Sequence, residues 1–430
     1  MNGLSRTKPG LQRRSGERGQ TIILVAVSLV SLLAMAALAI DVVTLYVARG
    51  EMQRAADAAA LAGAKAFVDS GVTSLAAADP SYPTRQALAQ TMATSLVGSI
   101  LAQNRVSGVA PVLVGGAPAF DFTRAGNPQI TLTLQRTDLP TFFARIWGSR
   151  LSTVSATAVA EAYNPANAPA NYPPIAPKCV KPLLVANQDP KAAGVSPLVD
   201  AVTGVPVATG VIGELATLKP CTGGCAAVPG ALQFQPAQVN LGTSNLCPGT
   251  CSPPASNYES SIDCCDSANP PATLYECGTT TPTQPRSVDA LKVDPPLSAE
   301  TNNGLQCVTN HPSEDTLDPT DLAAGSGPAR ITAGSGPQFG TLVTTSRSSM
   351  TLPIVQSLAV PPGTPVHIVG FLQVFIDPIA TPPAPTPPVL TTTPFRVSIL
   401  NVVGCGNSPG GGPAVAGGGY TPIPVRLIHQ

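Results

Sequence analysis

From Thr21 to Ile40 the chain runs twenty residues without a charge, Gly or Pro (TIILVAVSLVSLLAMAALAI). At ~1.5 Å rise per residue such a helix covers the roughly 30 Å hydrocarbon core of a bilayer, which predicts a transmembrane helix bounded by Thr21 and Ile40. Beyond Asp41 the pattern becomes periodic: Leu45, Ala48, Met52, Ala55, Ala59, Ala62 and Ala66 follow in steps of three and four. That spacing predicts one face of a stalk helix continuous with the span to about Val68. The small residues on this seam allow another helix to approach closely. Arg49, Glu51, Arg54, Asp57 and Lys65 lie mostly off the seam, with Glu51/Arg54 and Arg54/Asp57 at the i, i+3 spacing of helical ion pairs.

A second helix is expected from Pro83 to Ala102, with Ala87, Leu88, Met92, Leu96 and Ile100 as its buried face. The period then changes to two over Gln129–Gln135 and Val154–Ala160, which predicts strands. Between them Pro140 to Trp147 reads as an aromatic-rich helical turn, with Phe142, Phe143 and Trp147 expected to pack on the sheet. Asn164 to Pro177 (NPANAPANYPPIAP) has the composition of a linker. Beyond it, short apolar runs at 183–186, 205–215, 354–360, 366–376 and 395–403, separated by Pro and Gly, predict a β-rich, loop-rich region. Residues 381–394 are expected to be an extended insertion, 404–419 a flexible loop, and 424–428 a strand closing the sheet. Gly325-Ser326-Gly327-Pro328 and its repeat at Gly334–Pro337 read as hairpin turns.

Composition adds orientation and compartment. The chain has 430 residues, 39 of them Gly and 47 Pro, with 11% charged and 43% hydrophobic. Charge-driven disorder is excluded by this balance, and so many Pro leave few uninterrupted helices. Net charge is zero, yet residues 1–20 carry five basic residues against one acidic, and the remainder 19 against 23. Basic residues stay on the cytoplasmic side, which places residues 1–20 inside and 41–430 outside, in the periplasm for a bacterial inner membrane. No basic face interleaved with aromatics follows residue 20, so a nucleic-acid partner is not expected. The competing reading is a secretory signal cut at the small-residue site Ala37-Leu38-Ala39, releasing a Cys-rich binding module. Prepilin-type cleavage after Gly19 would leave Gln20–Leu24 as the start, with Leu24 where type IV pilins usually have Glu.

All ten cysteines (Cys179, Cys221, Cys225, Cys247, Cys251, Cys264, Cys265, Cys277, Cys307 and Cys405) follow the apolar segment, as disulfides of an exported domain would. Cys221/Cys225 and Cys247/Cys251 repeat a C-x-x-x-C spacing, which is not the usual zinc pattern; disulfide staples of open connectivity are expected, and no metal. The acidic cluster Glu314, Asp315, Asp318 and Asp321 lacks the calcium-loop spacing and reads as a solvated loop. His311, His367 and His429 have no catalytic context, so no enzyme, cofactor or small-molecule substrate is expected.

Asp41, Tyr46 and the run Gln53-Arg54-Ala55-Ala56-Asp57-Ala58-Ala59-Ala60-Leu61-Ala62-Gly63-Ala64, preceded by Glu17-Arg18-Gly19-Gln20, resemble the N-terminal region of TadG-like (TadE/TadG-like) proteins of bacterial Flp pilus assembly. The motif positions are Asp41, Tyr46, Gln53, Ala56, Asp57, Ala60 and Leu61. The resemblance is strong over 17–68, weaker to about 162, and does not reach the Cys-rich half. Many such proteins carry a von Willebrand factor A domain with a D-x-S-x-S metal site, which this sequence lacks; the resemblance therefore implies anchoring and assembly rather than metal-dependent adhesion. The expected whole is α+β: a cytoplasmic tail (1–20), a transmembrane helix (21–40), a helical stalk with a small α/β segment (41–163), a linker (164–177) and a disulfide-stapled β domain (178–430). Its expected partners are the lipid bilayer and other pilus-assembly membrane proteins or pilins, met through the N-terminal helix.

Overall fold

The computed structural model describes residues 17–123, 127–148, 151–165, 173–192, 196–221, 228–238, 245–247, 254, 256–266, 275–277, 286–287, 299–310, 313–358, 366–378, 395–406, 415–416 and 421–428. Its first element, α1 (Glu17–Asp69), is one unbroken helix of 53 residues. That corresponds to about 80 Å at helical rise. From Ile22 to Val47 the large apolar side chains other than Leu45 face outward, whereas Ala48, Met52, Ala55, Ala56, Ala59, Ala60, Ala64, Ala66 and Phe67 are buried. The helix stops at Gly71, whose left-handed backbone (φ 75°) suits glycine and whose N–H returns to Val68 O at 3.0 Å.

The buried part of α1 is covered from within the chain. Helix α2 (Tyr82–Gln103), with Pro83 in its first turn, packs along it. So does an antiparallel sheet of β1 (Val112–Leu113), β2 (Ala119–Asp121), β3 (Gln129–Pro140), β4 (Leu151–Ala162) and the C-terminal strand Val425–Leu427. In the β3/β4 register Ile130 faces Ala160, Leu132 faces Ala158 and Leu134 faces Ala156, all six buried. Large residues on β3 therefore stand beside small ones on β4, and α1 settles over the alanine row. The opposite face is polar, with Thr133 and Thr157 hydroxyls 2.8 Å apart.

Both long strands and both helices fall where the sequence places them, with one rotation. The buried face of α2 is Ala89, Ala93, Val97 and Leu101; Ala87 is exposed, and Leu88, Met92, Leu96 and Ile100 are half-buried. Alanines occupy the line of closest helix approach, which displaces the larger residues to its flanks.

The second half is a seven-stranded sheet in the order 286–287, 231–238, 183–186, 349–355, 368–378, 395–404, 215–220. Strand 231–238 also pairs in parallel with 215–220, so six strands close into a ring, a barrel without free edges. Phe234, Phe371, Phe375 and Phe395 are fully buried. The expected run at 205–215 is instead mostly turn and loop, anchored by buried Val211 and Ile212. The two Gly-Ser-Gly-Pro segments lie in the connections of the meander 316–318, 330–332, 342–343, as their turn chemistry predicts. Residues 381–394 fall outside the described residues.

One hydrophobic core runs from Ala48 to Ile423 through both halves. The expected linker is packed at both ends: Asn164 is buried, donating its amide to Thr73 O at 2.9 Å, and Ile175–Ala176 pairs with Val415–Ala416. The C-terminal strand, expected to close the second sheet, crosses back to β4 of the first. Glu161 there accepts from Arg426 at 2.6 Å, and the Arg426 guanidinium lies 4.3 Å from the Tyr163 ring centroid.

Two helical glycines give a test of the close packing. A methyl at Gly50 meets nothing within 4 Å, so Gly50→Ala should raise stability by up to about 1 kcal/mol through helix propensity. At Gly63 it would strike Ile130 Cδ1 and come within 3.2 Å of Val97 Cγ2, so Gly63→Ala should lower stability by about 1–3 kcal/mol. Denaturant unfolding of the detergent-solubilised protein reads both; shifts of the same sign would contradict the packing described.

Candidate functional site

The motif residues of α1 divide by what they touch. Asp41 is 3% exposed although it sits in the apolar, outward-facing part of the helix. Its carboxylate reaches across to the turn after β3: Oδ1 accepts from Phe142 N at 2.9 Å, and Oδ2 from Phe143 N at 3.0 Å and Ala144 N at 2.6 Å. Three backbone donors at the start of a short 3₁₀ turn are thus satisfied by one side chain from a helix about 100 residues away. Burial pushes the Asp41 carboxyl up, and the three N–H groups together more than offset it, so the group sits below the ordinary aspartate range.

Gln53 donates to Asp57 Oδ1 at 2.8 Å and to Thr157 O of β4 at 3.4 Å, while Ala56 and Ala60 are buried and Leu61 packs at the edge of the core. Tyr46 is 78% exposed. Of the seam, Ala48, Met52, Ala55, Ala59 and Ala66 are buried and Leu45 and Ala62 half-buried. What covers the seam is this chain's own β4, β3 and α2. The charges off the seam face outward, with Arg49, Arg54 and Lys65 exposed; Asp57 accepts from Gln53, and Glu51 accepts from Ser107 N at 2.7 Å.

Phe142 was expected in the core and is 58% exposed, with Phe143 half-buried; the Trp147 side chain lies outside the described residues. The turn is drawn in by its backbone N–H groups rather than by its rings. Sequence spacing gave no sign of this contact, because an aspartate directly after an apolar span reads equally well as its polar boundary.

A second polar centre joins the helices to the barrel. Arg85, buried on α2, donates to Ser70 O at 3.0 Å, to Leu322 O at 2.7 Å and to Ile212 O at 3.5 Å. Burial lowers its pKa, with Asp79 acting the other way. Beside it, Ser74 Oγ accepts from Val402 N at 2.9 Å. One charged side chain thus holds three otherwise separate segments.

The cysteines form staples. Cys179–Cys265, Cys247–Cys264 and Cys277–Cys405 are bonded with Cα atoms 4.7, 4.2 and 5.1 Å apart, and Cys221 and Cys307 are also disulfide-bonded. Cys247 therefore pairs outside its C-x-x-x-C repeat; Cys225 and Cys251 lie outside the described residues. Of these three bridges, those spanning 86 and 128 residues stabilise most in a chain-entropy account, at about 4–5 kcal/mol each.

The acidic cluster is used locally: Asp315 accepts from Gly334 N at 2.9 Å, Asp318 from Thr320 N at 3.0 Å, and Asp321 lies 3.7 Å from Arg330. Among the described residues no group of three His, Cys, Asp or Glu side chains gathers as a metal site. His367 is exposed ahead of strand 368–378; His311 and His429 lie outside the described residues. Two carboxyls of the second half are pushed up to near neutrality. Burial first, then the charge of Asp189, pushes Glu214 up to about 7, Lys191 acting the other way. Burial and Glu259 push Asp263 up to about 7 against the pull of Lys181.

Residues 19–66 match a family model described as putative Flp pilus-assembly TadE/G-like. No curated protein and no solved structure matches the chain. The matched segment holds the exposed apolar stretch, Asp41 and the whole of the buried seam to Ala66. A helix long and apolar enough to cross a membrane, joined to a pilus-assembly segment, fits a membrane-anchored protein.

Asp41→Ala should leave three N–H groups without their acceptor and raise amide exchange over residues 141–145 by about tenfold or more, read by hydrogen-exchange mass spectrometry. Unchanged exchange would show that the turn is held otherwise. For Glu214, a folded pKa above the unfolded value means the protonated form is favoured in the fold. That contribution is complete below about 4.5 and lost as pH rises through about 7. Asp263 acts in the same direction, so the wild type should melt higher at pH 5 than at pH 8, and Glu214→Gln should remove part of the difference.

Proposed function

We propose that this protein is a single-pass structural component of a Flp/Tad-type pilus assembly or secretion system. Thr21 to Ile40 would cross the bacterial inner membrane, with residues 1–20 cytoplasmic and the remainder periplasmic. The observation that carries this reading is the coincidence of the TadE/G-like match at 19–66 with the change of α1 from outward-facing apolar residues to a buried alanine face. The charge asymmetry about the span supports the orientation.

In this reading the protein works by binding rather than by catalysis. Because the seam from Ala48 onward is occupied within the chain, other pilus-assembly proteins or pilins meet α1 along the exposed stretch 21–40. The stapled barrel is the periplasmic interaction or adhesion module, and its closed ring and disulfides give it a fixed surface. The alternative, a module released by cleavage after Ala39, is disfavoured because α1 continues through that point and Asp41, two residues on, is bonded into the fold.

Membrane fractions washed in alkaline carbonate should retain the protein, and protease added to spheroplasts should reach the barrel while sparing residues 1–20. The mature N-terminus, read by mass spectrometry, should be intact or begin at Gln20; a start at Ile40 would contradict the proposal.

A further inference from the structure

The exposed apolar stretch of α1 is longer than a membrane crossing requires. Thr21 to Val47 is 27 residues, about 40 Å of helix, against a hydrocarbon core of roughly 30 Å and roughly 40–45 Å with both headgroup layers. If Thr21–Ile40 fills the core, Val42, Val43, Tyr46 and Val47 stand in the headgroup layer next to the folded half, and all four are more than half exposed. They lie on the side of the helix away from Asp41, Leu45 and Ala48, which turn toward the fold.

The turn after β3 lies at the same height, held there by the Asp41 carboxylate. It presents Phe142 outward, and Leu151, paired with Pro140 across the sheet, is also exposed. Arg145 on that turn and Arg49, two residues beyond Val47, are exposed cations. An aromatic and aliphatic collar with cations at its rim is the composition that seats in an anionic lipid interface. Asp41, the acid nearest the lipid core, has its carboxylate capped by three backbone donors, so the collar presents no bare anion to the lipid.

We propose that Val42, Val43, Tyr46, Phe142 and Leu151 form a collar that beds into the headgroup and upper acyl region of the leaflet facing the folded half, so that this half rests on the membrane instead of standing off on a stalk. The proposal rests on the reading of Thr21–Ile40 as a membrane span. The occupant of the surface is lipid; a second protein covering it is a different outcome of the test.

The chain has one tryptophan, so Phe142→Trp combined with Trp147→Phe places the only indole at 142. Tyr46→Trp in the same background reports the same layer without altering the turn. Each full-length variant is reconstituted in phosphatidylethanolamine/phosphatidylglycerol vesicles containing brominated lipid. Both indoles should be quenched more strongly by bromines near the headgroup end of the acyl chain than near its terminus, and should be poorly reached by aqueous iodide. An indole open to iodide and unquenched by either lipid would overturn the collar, as would one shielded from both, which would mean a protein cover. Carbonate extraction of the same vesicles separates the two readings. Protein retained with unquenched indoles refutes the collar alone, and protein released refutes the span and the collar together.

Discussion

The close seating of α1 on β4 and α2 is the contact on which the rest of the structure depends. It is possible because the facing positions are small: Ala55, Ala59 and Gly63 on the helix, Ala156, Ala158 and Ala160 on the strand, and Ala89 and Ala93 on the second helix. Close backbone approach gives many weak dispersion contacts and leaves no room for a larger side chain. From this base the turn at Ser70–Leu75 is fixed, and through it Arg85 and Ser74 hold the barrel. The C-terminal strand returns to β4, so the sheet under the buried part of α1 is completed from the far end of the sequence.

Two environments are served by one helix. Up to Val47 most of its large side chains are apolar and exposed; from Ala48 one face, made mostly of alanine, is buried. Asp41 lies just before the change, and its three hydrogen bonds tie the end of the apolar stretch to the folded half. A tie there fixes the direction in which the helix leaves the fold, which a flexible stalk would not. The disulfides and the ring closure do for the second half what the alanine seam does for the first: they limit the ways a Pro- and Gly-rich chain can unfold or slip register.

Much of the first half was legible because its signals are periodic and local. The apolar span, the three-four spacing of Ala48 to Ala66 and the alternation of Gln129–Gln135 each follow from the geometry of one element. Long-range choices were not legible. That the seam would be filled by β4 and α2 depends on which surfaces the chain itself supplies. The rotation of α2 onto Ala89 and Ala93 depends on the distance to α1. Phe142 lies outside because its backbone, and not its ring, is what Asp41 binds. In the second half the runs at 366–376 and 395–403 were recognisable as strands, but ring closure through parallel pairing of 215–220 with 231–238 leaves no mark in composition. The cysteines announced staples without announcing partners, and the pairing of Cys247 with Cys264 over its nearer neighbour in sequence is a consequence of the fold.

The central claim is that α1 is one rigid helix through the junction between its exposed and buried parts. Hydrogen-exchange mass spectrometry of the vesicle-reconstituted protein across residues 20–69 tests it directly. The account predicts continuous protection, with amides of 42–47 exchanging about as slowly as those of 55–67. A fast-exchanging window between Asp41 and Ala48, flanked by protected segments, would mean a hinge at the junction and would contradict it.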